Sequence, residues 1–207
     1  MFYLLKQLIE IIIPRKYHLQ VRFLWQKLSK KIDPEMLFVE KILTNKRGFV
    51  DIGANVGIYT YYFSKKFSAI NAFEPLEDIT YRIRSLNRDN IRVHHNALSN
   101  KKGELKFYIP IINGLEVPPL ASLEKKKKPY KEKIIDVLTL DDFNLKNVDL
   151  IKIDVEGHEY FVIEGAIKTI KKNKPIIICE IEKRHSLTSL DKITKLLKKL
   201  NYEGIFL

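Results

Sequence analysis

The chain has 207 residues, of which 45% are hydrophobic, and it carries a formal net charge of +12. This is enough apolar material for one well-cored domain. The only cysteine, Cys179, excludes a disulfide framework or a cysteine-based metal site within the chain and favours a reducing, cytoplasmic compartment. The excess charge favours anionic partners such as nucleic acid, acidic lipid headgroups or acidic glycans, although solvated surface lysines alone would also explain it.

Residues 1–47 form a basic N-terminal extension that is predicted to be helical. One apolar stripe runs through its first part: Leu4, Leu5, Leu8, Ile9, Ile12 and Ile13. Two charged residues interrupt this stripe and a proline ends it, so it cannot span a bilayer. Asp33-Pro34-Glu35 predicts the start of a further helix. The extension could dock on the domain that follows, pair with a second subunit in a homo-oligomer, or contact the inner face of a membrane through residues 1–30.

From residue 48 to residue 207 the pattern predicts one α/β domain. Predicted strands at 49–52, 69–73, 91–95, 149–154 and 175–180 alternate with predicted helices at 58–67, 76–87, 159–172 and 187–200. Such alternation predicts βαβ units and a mostly parallel sheet with helices on both faces.

The alternation breaks between residues 103 and 137. Residues 104–109 predict an edge strand, and residues 110–133 predict a loop that contains several prolines and the run Lys125–Lys128. Long loops in compact domains are often lids or binding segments. The lysine run is interpreted either as a solvated face or as part of a binding loop.

The strongest local motif is VDIGANVG, residues 50–57, where a strand turns into a helix. Glycines at such a turn let the backbone approach a ligand, and the helix start offers free N–H groups. The spacing differs from the dinucleotide fingerprint, because Asn55 stands at the second glycine position and Gly57 comes one residue early. Asparagine tolerates the left-handed backbone that a glycine would supply. The motif therefore predicts a ligand-binding turn.

Polar side chains also end the other predicted strands. Glu74, which ends the second strand, can accept both hydroxyls of a ribose, while Asn96 could bind an adenine edge or simply form a turn. Asp154 and Glu180 end later strands. In open α/β sheets ligands bind at the carboxyl ends of the strands, so these residues predict a site for an adenosine-containing cofactor.

These motifs resemble those of the FkbM-type S-adenosylmethionine-dependent methyltransferases. The matching stretches are VDIGANVG, AFEP, NALSN with KGELKFY, ASL, VLTLDDF, DLIKIDVEGHEYFVIEGA and PIIICEI. They cover about residues 49–181 and imply a Rossmann-like class I methyltransferase domain over residues 48–207, with a mostly parallel seven-stranded sheet. The chain stops soon after Tyr202, which leaves the final antiparallel strands of such a sheet in doubt. Members of this family are typically O-methyltransferases, many of which act on sugars, glycans or other secondary metabolites.

The resemblance also implies which residues bind S-adenosylmethionine. The implied cofactor contacts are Asp51, Gly53, Ala54, Asn55, Gly57, Glu74, Pro75, Asn96 and Ala97. Asp154 and Glu156 are implied to lie near the reacting atoms. We predict that Asp154 or Glu156, with His158, orients or deprotonates an acceptor hydroxyl. Lys152 shares a strand face with Asp154 and is predicted to pair with it, in a catalytic or a purely structural role.

Several alternatives stay open on the sequence alone. Asp154, Glu156 and Glu180 could bind Mg²⁺, although a metal-free site is favoured. A nucleic-acid methyltransferase would explain the positive charge, but the sequence contains no RNA-binding module. A nicotinamide-dependent oxidoreductase would share the glycine turn, but the glycine spacing argues against it. The predicted acceptor is a small molecule or a glycan, and an acidic or lipid-linked glycan would fit the basic extension.

Overall fold

Two β-sheets organise the residues that this computed structural model describes, which are 13–125, 129–181 and 187–205. In chain order the strands are β1 (Gly48–Ile52), β2 (Ala69–Phe73), β3 (Ile91–His94), β4 (Ala97–Leu98), β5 (Gly103–Ile112), β6 (Leu115–Glu116), β7 (Tyr130–Leu138), β8 (Val148–Ile153) and β9 (Ile176–Cys179). The helices are α1 (His18–Leu28), α2 (Pro34–Ile42), α3 (Ile58–Phe63), α4 (Glu77–Arg84), α5 (Glu159–Glu164), α6 (Ile167–Asn173) and α7 (Leu187–Lys199).

The larger sheet is parallel and has the strand order β3-β2-β1-β8-β9. The order reverses between β1 and β8, which creates a topological switch point where ligands of open α/β sheets bind. The predicted mostly parallel sheet is therefore confirmed. In the described part of the chain the sheet has five strands, whereas the resemblance implied seven, because residues 200–205 contain no strand.

Helices cover both faces of this sheet because neighbouring residues of each strand point in opposite directions. On one face, Phe49 and Leu150 pack with Phe63 of α3 and with α2. On the other face, residues of β1, β8 and three helices are buried together: Val50, Ile52, Ile151, Ile153, Val162, Ile163, Ile170 and Ile193. The central strands β1 and β8 are thus buried on both sides, as expected for the middle of a parallel sheet with helices on both faces.

The helices differ in length from their predictions. The predicted helix at 159–172 is two helices, because the Gly165 carbonyl accepts a hydrogen bond from the backbone N–H of Asp141 (3.1 Å) and not from the helical donor four residues on. Asp141 then starts α6 by accepting hydrogen bonds from the backbone N–H groups of Lys168 (2.9 Å) and Thr169 (2.7 Å). The helices α3 and α4 end early, at serine residues whose hydroxyls donate to carbonyls of the last turn.

The smaller sheet has the order β4-β7-β5-β6, and its strands take up the two ends and a short central part of the loop that was predicted for residues 110–133. The prediction was wrong for these strand residues, because β7 begins with three exposed charged residues, Lys131, Glu132 and Lys133, which hide the strand pattern. Further along β7, Ile135 and Val137 are buried and pack with Phe107 and Ile109 of β5. Two salt bridges, Lys106–Glu132 and Lys131–Glu116, lie on the sheet (both 2.8 Å). Of the lysine run, residues 126–128 lie outside the described residues.

The part of the N-terminal extension that the structure describes docks on the larger sheet. Leu19 of α1 is buried against Gly57, and Phe23 packs on the rings of α3. Met36 and Val39 of α2 are buried in the same cluster as Phe49. The predicted apolar stripe at residues 4–13 lies outside the described residues except for Ile13. Among the helices that are described, none has the length and apolar character needed to cross a membrane.

Candidate active site

The glycine turn brings the end of β1 against the end of β8. Gly53 has a left-handed backbone (φ +74°), and a Cβ there would overlap the carbonyl oxygen of Asp154. The N–H groups of Gly53 and Ala54 both donate to the Phe73 carbonyl at 3.0 Å, which also ties the turn to β2. Asn55 is left-handed as well (φ 51°), as its predicted role as a glycine substitute requires.

Glu74 follows β2, and its side chain contacts the glycine turn. Its buried carboxylate accepts hydrogen bonds from the N–H of Asn55 (3.1 Å) and from the N–H of Leu76 (3.0 Å). Burial raises the pKa of Glu74 to about 7, and the two N–H groups oppose that rise. The carboxylate thus joins the first two strand ends and provides acceptor oxygens where a ribose was predicted.

A cleft of about 620 Å³, including the solvent at its mouth, opens at the carboxyl ends of the strands. It brings together most of the predicted site residues: Gly53, Asn55, Glu74, Pro75, Asn96, Ala97, Asp154, Glu156 and His158. Four predicted residues lie beneath its surface and do not line it: Asp51, Ala54, Gly57 and Lys152. One side of the cleft is formed by the turn and β2, where the cofactor was predicted to bind, and is here called the cofactor side. The other side is formed by the residues that follow β8, where the acceptor was predicted to bind, and is here called the acceptor side.

A row of charged side chains lies under the acceptor side. Asp51 and Lys152 are neighbours in the register of β1 and β8, and the Lys152 ammonium donates to Asp154 at 2.9 Å, as predicted. Burial alone would lower the pKa of Lys152, but the Asp154 and Asp51 carboxylates outweigh burial and raise it, so the ammonium stays charged. Burial raises the pKa of Asp51, which accepts a hydrogen bond from Thr60 (2.6 Å).

Two acidic residues of the N-terminal extension reach this row, which the sequence did not reveal. The Tyr59 hydroxyl donates to Glu35 at 3.2 Å, and burial together with the neighbouring Glu35 carboxylate raises the pKa of Asp33. Glu180, at the end of β9, has its pKa raised to about 7 by burial and by the nearby Asp154 carboxylate. Asp33 and Glu35 were read only as a helix start, and no local signal connects that start to an active site.

The turn after β8 is held from two sides. Glu156 and Gly157 are both left-handed (φ 58° and 113°). Glu159 accepts hydrogen bonds from the N–H of Gly157 (2.8 Å) and of Val155 (3.3 Å), so its role is to stabilise the turn and the start of α5. From the opposite side, the hydroxyl of Ser122 donates to the carbonyls of Val155 and Glu156 (3.1 and 3.0 Å). These contacts fix the position of Glu156 at the cleft.

His158 connects three segments of the chain. Its Nδ1 lies 2.6 Å from the Glu124 carboxylate, and its Nε2 lies 2.9 Å from the hydroxyl of Ser99. Both ring nitrogens are engaged, so in this conformation His158 holds other groups in place and leaves neither nitrogen for an acceptor hydroxyl. Residues 117–125, here called the cleft loop, are fixed by this contact, by Ser122 and by a hydrogen bond from Asn55 to Pro119 (3.1 Å).

The predicted cofactor fits the side chains of the cleft. Glu74 offers carboxylate oxygens to ribose hydroxyls, and Phe73, Ala97 and Leu98 offer apolar surface to a base. Across the described ranges of the chain, no group of three or more His, Cys, Asp or Glu side chains is arranged to hold a metal ion. Burial raises the pKa of the Cys179 thiol, which keeps it protonated in the core.

The parallel sheet and its strand-end cleft place the chain in the Rossmann-like α/β class. Residues 51–203 match the family model described as the methyltransferase FkbM domain. The chain therefore belongs to the FkbM methyltransferase family, which confirms the resemblance seen in its motifs.

Two curated relatives are named as methyltransferases. One is Methyltransferase 1 of Beauveria bassiana (strain ARSEF 2860), which is 29% identical over 141 residues that cover 56% of this chain and 57% of the relative. The other is Methyltransferase sdnD of Sordaria araneosa, which is 29% identical over 157 residues that cover 56% of this chain and 59% of the relative. The chain thus spans less than two thirds of the length of either relative.

A solved structure supports the fold. The crystal structure of Methyltransferase FkbM from Methylobacillus flagellatus KT superposes with a TM-score of 0.55 at 21% sequence identity. The match covers 75% of this chain and 37% of that one. At this identity the likeness concerns the arrangement of the sheet and helices alone.

Proposed function

We propose that the chain is an S-adenosylmethionine-dependent O-methyltransferase that methylates a hydroxyl of a sugar, a glycan or a related metabolite. The observation that carries this proposal is the single cleft that has Glu74 on one side and Asp154 on the other. Membership of the FkbM family supports it.

The cofactor side of the cleft would hold S-adenosylmethionine. Glu74 would accept the ribose hydroxyls, the backbone of Gly53 and Asn55 would approach the amino-acid part, and Asn96 and Ala97 would contact the adenine. When bound, the cofactor supplies an electrophilic methyl group. The buried residues Asp51 and Gly57 would act indirectly, by fixing the strand end and the turn.

On the acceptor side, Asp154 is the first candidate for the residue that orients the hydroxyl and takes its proton. Its side chain is 31% exposed, and Lys152 fixes one of its oxygens from below. Glu156, held at the cleft by its turn, is the second candidate. Orientation of two reacting groups can contribute about 7–11 kcal/mol, and a positioned base about 10²–10⁴-fold in rate.

The acceptor side suits a neutral molecule that is rich in hydroxyl groups. Its carboxylates, Asp154 and Glu156, accept hydrogen bonds from hydroxyls. An acidic acceptor, which the net charge alone had favoured, would meet these groups with charge of the same sign. We therefore propose a neutral sugar or a neutral sugar unit of a larger glycan.

Two measurements test the proposed function. Equilibrium binding should show affinity for S-adenosylmethionine and none for NAD, and the labelled methyl group should appear on members of a sugar panel. Asp154→Asn should abolish turnover and leave cofactor binding unchanged, because Asp154 lies on the acceptor side. Preferential binding of NAD, or transfer of the label to RNA rather than to any sugar, would contradict the proposal.

A further inference from the structure

Helix α1 has apolar side chains on both of its faces. Leu19 is buried, and Phe23 packs on the aromatic rings of α3. On the opposite face, Leu24, Trp25 and Leu28 are 54%, 51% and 74% exposed. Their spacing places the three side chains within one turn of each other on a single face of the helix. A helix that only covers a core would carry polar residues there.

Helix α2 repeats this arrangement. Met36 and Val39 are buried in the core, whereas Leu37, Phe38 and Ile42 are exposed. Most of the large apolar side chains that the described residues leave exposed lie on these two helices. Both helices pack on α3: Phe23 of α1 contacts Tyr62, and Glu40 of α2 accepts a hydrogen bond from the same tyrosine. We call the exposed apolar residues of α1 and α2 the outer apolar face.

The charges of the two helices are divided in a corresponding way. Glu35 and Glu40 are engaged by tyrosines of α3, and Glu40 is also paired with Lys66. Four of the five exposed charged residues between residues 24 and 42 are lysines: Lys27, Lys30, Lys31 and Lys41. The fifth is Asp33, whose pKa is raised by burial, while Tyr59 and Lys152 of the domain oppose that rise. The outer side of the extension is therefore apolar and cationic, while acidic residues serve its contacts with the domain.

We infer that the outer apolar face docks on the surface of an anionic lipid bilayer. Leucine and phenylalanine side chains bury themselves at the boundary between headgroups and acyl chains, and lysines nearby attract anionic headgroups. Tryptophan is favoured at this depth because one part of its ring system is apolar and its N–H needs a polar partner. A second copy of the chain is a less suitable partner, because the lysines of the two facing surfaces would repel each other.

This inference does not depend on the proposed methyl transfer. Nucleic acid would be attracted by the lysines, but it offers no reason for leucines to be exposed on two helices. Docking on a bilayer accounts for both the exposed apolar side chains and the lysines beside them. If the proposed function also holds, docking would bring the cleft close to sugars that are linked to lipids.

Trp25 is the only tryptophan of the chain, so its fluorescence reports on this face directly. The full chain is titrated with vesicles of phosphatidylcholine mixed with phosphatidylglycerol, and with vesicles of phosphatidylcholine alone. We expect a blue shift of Trp25 emission and quenching by brominated acyl chains with the mixed vesicles only. Binding should weaken in 1 M salt, where the Debye length is about 3 Å.

Substitutions on and away from the outer apolar face test which side chains are needed for vesicle binding. L24S/L28S should weaken vesicle binding by about tenfold or more, because two apolar side chains no longer leave water. K27E/K30E/K31E should abolish the preference for anionic vesicles. L115S and I134S remove equally exposed apolar side chains of the smaller sheet and should bind vesicles like the unmodified chain. Thermal unfolding of all variants checks that each is folded.

Three outcomes would overturn the inference. The first is emission that does not change with mixed vesicles. The second is a concentration-dependent dimer in sedimentation that L24S/L28S abolishes while vesicles do not bind. The third is binding to vesicles, or to RNA in their place, that L24S/L28S leaves unchanged, because the leucines would then play no part.

Discussion

The ammonium group of Lys152 lies 5.0 Å from the centroid of the Tyr59 ring while it donates a hydrogen bond to Asp154. Because Lys152 is buried, this cation–π contact should be near the upper end of the usual range, about 2 kcal/mol. The Tyr59 hydroxyl in turn donates to Glu35. Two side chains therefore connect the N-terminal extension to the carboxylate that is proposed to act on the acceptor.

Replacing Tyr59 tests this connection. Tyr59→Leu removes the ring beneath Lys152 and should lower kcat by about two- to thirtyfold, the range that corresponds to about 0.5–2 kcal/mol. Tyr59→Phe keeps the ring and loses only the hydroxyl, so it should lower kcat less. The dissociation constant for S-adenosylmethionine should stay the same in both, because Tyr59 is buried and does not line the cleft. Equal losses in the two variants would show that the ring does not matter.

The pKa of Glu74, which burial raises to about 7, predicts a pH-dependent cofactor affinity. Ribose hydroxyls donate to the carboxylate, so the ionised form should bind more tightly. The ionised fraction increases about tenfold between pH 6 and pH 8 for a pKa of about 7, and affinity should increase by a similar factor. Equilibrium titration of S-adenosylmethionine at several pH values measures this. Glu74→Gln should bind more weakly and without the pH dependence; a slope that survives in this variant would assign it to another group.

Glu180, whose pKa is raised to about 7 mainly by burial, predicts a second pH effect, on the rate. If its carboxylate assists proton removal, kcat at saturating cofactor should rise as the pH passes upward through about 7. Glu180→Gln should remove this rise. An unchanged pH–rate profile in Glu180→Gln would show that Glu180 takes no part and would leave Asp154 or Glu156 as the base.

Gly53 and Gly114 form a matched pair for testing the close approach of β1 and β8. Both have left-handed backbones, with φ +74° and φ +76°, but only at Gly53 would a Cβ overlap another residue. Gly114→Ala should cost about 1–2 kcal/mol of unfolding free energy, the cost of the backbone conformation alone. Gly53→Ala should cost clearly more and should also weaken cofactor binding. If denaturant unfolding gave the same loss of unfolding free energy for Gly53→Ala and Gly114→Ala, the turn would be able to move away from Asp154.

The sequence predicted the parallel sheet and most of the cleft because these depend on local patterns. Apolar runs identify the strands, and the residue that follows each strand, such as Glu74 or Asp154, is delivered to the same edge. The contacts of the cleft loop and of Tyr59 were not predicted, because they join distant segments. Glu124 and Ser99 are 34 and 59 residues from His158, and nothing in either neighbourhood indicates that they meet. Ser99 is positioned by the pairing of β4 with β7, which the sequence does not specify.

The docking of α2 has a consequence for how members of this family can diverge. The family match begins at residue 51, yet Met36 and Val39 complete the core beneath the site, and Glu35 adds a negative charge to its acceptor side. Two proteins with identical strand ends could therefore differ in acceptor preference through their N-terminal helices alone. Exchange of this extension between relatives would be a way to transplant specificity without altering any residue at the strand ends.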